Sequence, residues 1–125
     1  MEALNINASE RKLAVSLDPV TGKLSFTGRS LPEDAKAFFN PIVNWLHDYA
    51  LAPAERTECS LKMEYFNSSS RKCFVDVFRM LDSIREAGHK VVIIWYYEED
   101  DDELLDIGEK YQSIYKMIEF QLIPY

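Results

Sequence analysis

The chain has 125 residues, of which 47% are hydrophobic, 13% aromatic and 28% charged. This composition supplies one core and excludes a disordered, collagen-like or low-complexity polymer. With 14 Lys and Arg against 21 Asp and Glu, the formal charge is -7. A surface of that sign repels phosphate backbones and anionic lipid, so nucleic acid and membranes are not expected partners.

In chain order, residues 1–10 show no clear period and read as a loosely held lead-in to a single domain spanning 1–125. Leu13–Leu17 and Lys23–Thr27 flank Asp18-Pro19-Val20-Thr21-Gly22, two short alternating runs around a Pro/Gly turn, which predicts a β-hairpin closed by Gly28 and Ser30. A helix is expected next, with Ser30 as N-cap, Pro32 and the acids Glu33 and Asp34 in its first turn, and Ala35, Phe38, Phe39, Ile42, Leu46 and Tyr49 at helical spacing. Pro41 falls inside that pattern and is expected to kink it, and Ala52-Pro53 ends it.

Cys59–Phe66 alternates as a strand does, and Asn67-Ser68-Ser69-Ser70 leads into a second helix that runs to about Ala87, stopped by Gly88. Cys73, Phe74, Val77, Phe78, Leu81 and Ile84 form its apolar stripe. Val91–Tyr97 is a continuous apolar run, the pattern of a central strand covered on both faces. The acids Glu98–Glu103 open a third helix carrying Leu104, Leu105, Ile107, Tyr111 and Ile114, and Met117–Ile123 forms a last strand. The order β-β-α-β-α-β-α-β predicts an α/β fold: a hairpin followed by right-handed crossovers, with one sheet layered by about three helices.

No apolar stretch approaches the ~20 residues of a membrane span. The start Met1-Glu2-Ala3-Leu4-Asn5 lacks the basic and apolar regions of a secretory signal, and Cys59 and Cys73 are too few for a disulfide framework. Reduced thiols and a cytoplasmic location are expected. The acids at 98–103 lack the spacing and glycine of a calcium loop and suit a solvated helix start. His47 and His89 sit in no metal or catalytic motif, and the serines have neither flanking glycines nor an identifiable base. Neither a cofactor, a metal nor catalysis is expected.

The most informative residues are Asn67-Ser68-Ser69-Ser70, where a strand gives way to an amphipathic helix, the edge at which α/β sheets commonly bind ligands. Two readings stay open: Asn and Ser are the preferred helix caps, and a serine at a helix N-terminus is also a favourable place to carry a phosphate. Arg71 and Lys72 follow Ser68 by three and four residues, within pairing range. On the helical wheel Val75 falls outside the core stripe, among Arg71, Arg79 and Asp82, and with Phe78 and Met80 partly exposed it would extend a docking surface for a partner.

Asp18–Leu24, Gly28–Glu33, Phe39–Leu46, Tyr65–Lys72 and Trp95–Asp101 together resemble the SiaC family of bacterial regulatory phosphoproteins, a likeness running from about Leu13 to Ile123. The resemblance implies a fold like that of anti-sigma-factor antagonists (STAS), with a mixed, mostly parallel sheet. It implies a Ser or Thr at the helix entrance, phosphorylated by a dedicated protein kinase and released by a metal-dependent Ser/Thr phosphatase. It also implies that the unphosphorylated form binds and activates a diguanylate cyclase, raising cyclic di-GMP and favouring biofilm. Matching the motif places the phosphoacceptor on Ser68, with Ser69 and Ser70 as fallbacks; partner contacts are expected on Asn67, Ser69, Ser70, Arg71 and Lys72 and, from the outer face of the helix, on Val75 and Arg79. The alternative is a constitutive interaction or scaffold domain in which the serines only cap the helix.

Overall fold

The computed structural model describes residues 1–125. Its frame is a six-stranded sheet whose strands lie in sequence order. β2 (Ala14–Leu17) and β3 (Lys23–Ser30) form the expected hairpin, pairing Ala14 with Thr27 and Leu17 with Leu24. Asp18 builds the turn: its carboxylate accepts from the Val20 amide at 2.9 Å and the Thr21 amide at 3.4 Å, which, led by the Val20 bond, holds its pKa below the ordinary value. Gly22 has φ +72°, and a Cβ there would lie 2.3 Å from the Arg56 carbonyl oxygen, so both conformation and space require glycine.

The lead-in residues are not loose throughout. Leu4–Ile6 form β1, an antiparallel edge strand on β2, with Leu4 and Ile6 half-buried against the core. Trp45 Nε1 also donates to the Glu2 carbonyl oxygen at 2.9 Å, which ties this end of the chain to the first helix.

From β3 onward every pairing is parallel, through β4 (Arg56–Phe66), β5 (Lys90–Tyr97) and β6 (Glu119–Pro124). The crossovers are α1 (Ala35–Tyr49), α2 (Ser68–Glu86) and α3 (Asp102–Ile114). Successive right-handed crossovers that always advance in one direction must lay their helices on one face of the sheet. Burial follows this rule. Leu24, Phe26, Cys59, Leu61, Met63, Val91, Ile93, Trp95 and Phe120 join the helix stripes in a single core cluster, while Ser25, Glu58, Ser60 and Lys62 between them are half-buried or exposed.

β5 is an interior strand, one in from the β6 edge and so not central as expected, and helices cover only one of its faces, against the expectation of two. On the other face Val92 is still fully buried, flanked by Glu58 of β4 and Glu119 of β6, and Lys90 Nζ donates to Glu119 at 2.8 Å beside it. Ile94 and Tyr96 on that face are half-buried. Long charged side chains shield an apolar strand as a second helix layer would.

α1 starts later than expected. Its N-cap is Asp34, whose Oδ1 accepts from the Ala37 amide at 3.1 Å; Ser30 instead ends β3 with its side chain fully buried. The helix continues through solvent-exposed Pro41 as one element. The core beneath α2 is aromatic: the Phe74 ring lies 5.5 Å from Phe26, 5.0 Å from Phe39 and 5.8 Å from Phe66, centroid to centroid. Phe78, expected to be partly exposed, is completely buried, because Tyr111, Tyr115 and Phe120 pack around it.

Candidate functional site: the entrance to the second helix

β4 ends at Phe66, and Asn67, with an extended backbone (φ -79°, ψ 172°), turns the chain into α2. Asn67 is the N-cap: its side-chain oxygen accepts from the Ser70 amide at 2.9 Å, while its own amide donates to the Ser30 carbonyl at 3.1 Å. One residue thus caps the helix and anchors it to the end of β3. The cap leaves the amides of Ser68 and Ser69 without an intrahelical acceptor, which makes the helix entrance electropositive.

The three serines have different environments. Ser68 and Ser69 are exposed, and neither hydroxyl makes a hydrogen bond. Ser70 is completely buried; its Oγ lies 2.7 Å from Ser30 Oγ and donates to the Ser30 carbonyl at 3.3 Å. The expectation of Ser70 as a fallback acceptor or a partner contact therefore fails in this conformation, since an enzyme or partner would first have to open the α2–β3 junction.

Arg71 sits on the next turn, against the first turn of α3. Its Nη2 donates to Glu103 Oε1 at 3.3 Å, and its guanidinium carbon lies 5.5 Å from the Phe66 ring centroid. Its Nε is buried without an acceptor. The Arg71 carbonyl accepts from the Tyr111 hydroxyl at 3.2 Å, and burial, partly opposed by the Arg71 charge, pushes that phenol up to about 12. Lys72 is exposed and makes no ion pair. Arg79 is exposed as expected, whereas Val75 is half-buried on the α3 side of α2, where its carbonyl accepts from the Tyr115 hydroxyl at 3.5 Å. Asp82 pairs with Arg85 at 2.8 Å.

The acidic run is a helix start, as its composition implied: Asp101 caps α3 by accepting from the Leu104 amide at 3.0 Å, with Asp102 and Glu103 in the first turn. No group of three or more His, Cys, Asp or Glu side chains is arranged to hold a metal ion. His47 lies in the last turn of α1 and His89 follows α2, so neither adjoins the serines along the chain. Both cysteines are free, Cys59 buried and Cys73 half-buried. The sequence reading missed Ser30, Glu103 and Tyr111 as neighbours of the motif. They lie 32 to 40 residues away along the chain, and no local spacing signals them.

An exposed, uncommitted hydroxyl on the first turn of a well-capped helix, with cations on the following turn, is favourable ground for a phosphate. Residues 6–125 match the sequence model of the SiaC family, described as regulatory phosphoproteins, and the chain belongs to that family. It is 25% identical to an uncharacterized protein of Pseudomonas aeruginosa (strain UCBPP-PA14) over 113 residues, 90% of each chain. Among solved structures it resembles apo-SiaC of Pseudomonas aeruginosa with a TM-score of 0.88 at 24% identity, covering 98% of this chain and 99% of that one. It also resembles a chain in the crystal structure of the diguanylate cyclase SiaD in complex with its activator SiaC from the same organism, with a TM-score of 0.90, 24% identity and the same coverage. These likenesses bear out the α/β fold with its mixed sheet.

Proposed function

We propose that this chain is a non-enzymatic cytoplasmic signalling protein switched by phosphorylation of Ser68, and that its unphosphorylated form binds and regulates a diguanylate cyclase. One observation carries the assignment within a family of regulatory phosphoproteins: Asn67 alone supplies the cap, so Ser68 is exposed and structurally idle. The cyclase partner rests on the solved relative, where SiaC is the activator of SiaD. A Ser/Thr kinase and a metal-dependent Ser/Thr phosphatase would write and erase the mark. No helix of the chain is long and apolar enough to cross a membrane.

A phosphate adds about -1.5 to -2 charges at neutral pH. At Ser68 it would stand on the exposed tip of α2 and oppose an acidic or apolar partner by repulsion and desolvation, without disturbing the core below. Asn67, Ser69, Lys72 and Arg79 are the proposed contacts around it, with Val75 on the flank toward α3.

The test is peptide mass spectrometry of the protein from its native host, with and without the cognate phosphatase, followed by titration of each form against the cyclase. One phosphate on the peptide containing Ser68, absent in Ser68→Ala, and a loss of roughly tenfold or more in cyclase affinity on modification are expected, equivalent to about 1.4 kcal/mol. An unmodified Ser68 in the phosphatase-deleted host would return the serines to a purely structural role and leave the constitutive scaffold reading.

A further inference from the structure

We propose that Arg71 is the intramolecular receptor for a phosphate on Ser68, and that phosphorylation makes it exchange Glu103 of α3 for the phosphate. The inference rests on Ser68 being the modified residue and adds how the mark is read. Arg71 is poised for such an exchange because its present pairing is incomplete. The Nε and Nη2 donors form one edge of the guanidinium, the edge that grips a carboxylate or phosphate with two parallel bonds. Here Nη2 reaches a single oxygen of Glu103 at 3.3 Å, and Glu103 is 75% exposed. Nε is the one buried side-chain polar atom of the molecule that has no hydrogen-bond partner.

Residues three apart on a helix share a face, so Arg71, whose side chain is 37% exposed, can pair with a phosphate on Ser68 by swinging its guanidinium out of the cleft it lines with Glu103. The phosphate would bring more charge than Glu103 and a second acceptor for the idle Nε. In the unmodified chain the guanidinium carbon lies 5.5 Å from the Phe66 ring centroid. The charged groups facing the cleft besides Arg71 are Glu64 at the end of β4 and Asp101 and Glu103 at the start of α3, with Lys72 nearby on α2. Arg71 is the single cation lining that acidic cleft. The exchange would also free the Glu103 carboxylate, so the start of α3 as well as the tip of α2 would differ between the two forms.

The experiment uses the full chain with phosphoserine installed at position 68 during synthesis, so that it does not depend on which residue a cellular kinase uses. Phosphorus NMR then follows the second ionisation of the phosphate with pH, which lies near 6 for an unpaired group. Relative to the parent, Arg71→Gln should raise that pKa by about one unit and Arg71→Lys by less; Glu103→Gln, which removes the competitor, should lower it. Lys72→Gln should move it less than Arg71→Gln. Amide resonances of Asp101 to Leu104 should shift on phosphorylation in the parent and stay in place in Arg71→Gln. A phosphate titration unchanged in both Arg71 variants, or one governed by Lys72, overturns the exchange. Absence of phosphate on Ser68 in cells would overturn the proposed function instead and leave the measured pairing intact.

Discussion

Stability alone can separate Ser70 from Ser68. In Ser70→Ala the hydroxyl that bridges α2 to β3 is lost. Ser70 Oγ donates to the Ser30 carbonyl at 3.3 Å and lies 2.7 Å from Ser30 Oγ, all of it fully buried. Each such bond contributes about 1 kcal/mol net, and stranding the Ser30 hydroxyl in a dry site costs about 1–3 kcal/mol. Against this, alanine gains about 0.5 kcal/mol of helix propensity over serine. The Ser30 carbonyl keeps the Asn67 amide at 3.1 Å and the Ser70 amide keeps its cap, so the damage is confined to the hydroxyl pair. The expected loss is about 3 kcal/mol, which at a urea dependence of roughly 2 kcal/mol per molar lowers the unfolding midpoint by about 1.5 M. Ser30→Ala/Ser70→Ala should recover part of the loss, because no partner is then left unpaired. Ser68→Ala should stay within about 0.5 kcal/mol of the parent, since its exposed hydroxyl bonds to nothing. Urea unfolding of the four proteins decides the matter. A Ser70→Ala cost below about 0.5 kcal/mol, or an equal cost for Ser68→Ala, would refute the division of roles.

Three other outcomes follow from the packing and charges. Gly108→Ala would place a Cβ 2.6 Å from the Trp95 ring, which is held by its own bond to the Leu104 carbonyl at 3.1 Å. Overpacking at about 1–3 kcal/mol should exceed the helix-propensity gain of about 1 kcal/mol, giving a lower melting temperature and altered tryptophan fluorescence; a more stable variant would show that α3 shifts freely. Asp18 and Glu119 have pKa values lowered in the fold, by the Val20 amide and by Lys90 respectively, so their stabilisation is complete above the ordinary carboxylate range and is lost as pH falls through it. Asp18→Asn with Glu119→Gln should therefore flatten the acid limb of a stability–pH curve, and an unchanged limb counts against these two contacts. Burial pushes the Cys59 thiol up to about 12, so it should resist thiol reagents in the native state and react with the kinetics of unfolding, while half-buried Cys73 reacts first.

Much of the frame was legible because its signals are local. The stripe through Phe74, Val77, Phe78, Leu81 and Ile84 predicts a helix, and all five residues are buried in α2. Where the reading departed from the structure, tertiary contacts had replaced the local rule. Ser30 before Leu31-Pro32 has the pattern of an N-cap, but its hydroxyl is committed to Ser70, 40 residues on, and Asp34 caps α1. β1 is only three residues long, too short for a period, and exists because Leu4 and Ile6 complete the core at the edge of β2. The apolar run of β5 implied two helix layers; instead Val92 is shielded by charged neighbours in flanking strands. At the site, the Asn67 cap was readable from residue types, whereas the contrast between Ser68 and Ser70 was not. That contrast depends on where β3 ends.

The same contrast favours Ser68 over Ser70 as the place for the proposed switch. A modification signals efficiently when it changes surface charge without drawing on fold stability, because loss of stability would mark the protein for degradation as well as for release from a partner. Ser70 fails that condition, being part of the clasp between α2 and β3. Ser68 meets it: the helix is capped by Asn67, pinned through the Ser30 carbonyl, and seated on Phe74 and its aromatic neighbours, none of which involves the Ser68 hydroxyl. A phosphate there also lies at the electropositive end of α2, where the helix dipole and the free first-turn amides favour it. The charge can therefore be written on a rigid tip with little cost to the fold, and its effect is carried outward, to whatever surface the unmodified tip contacts.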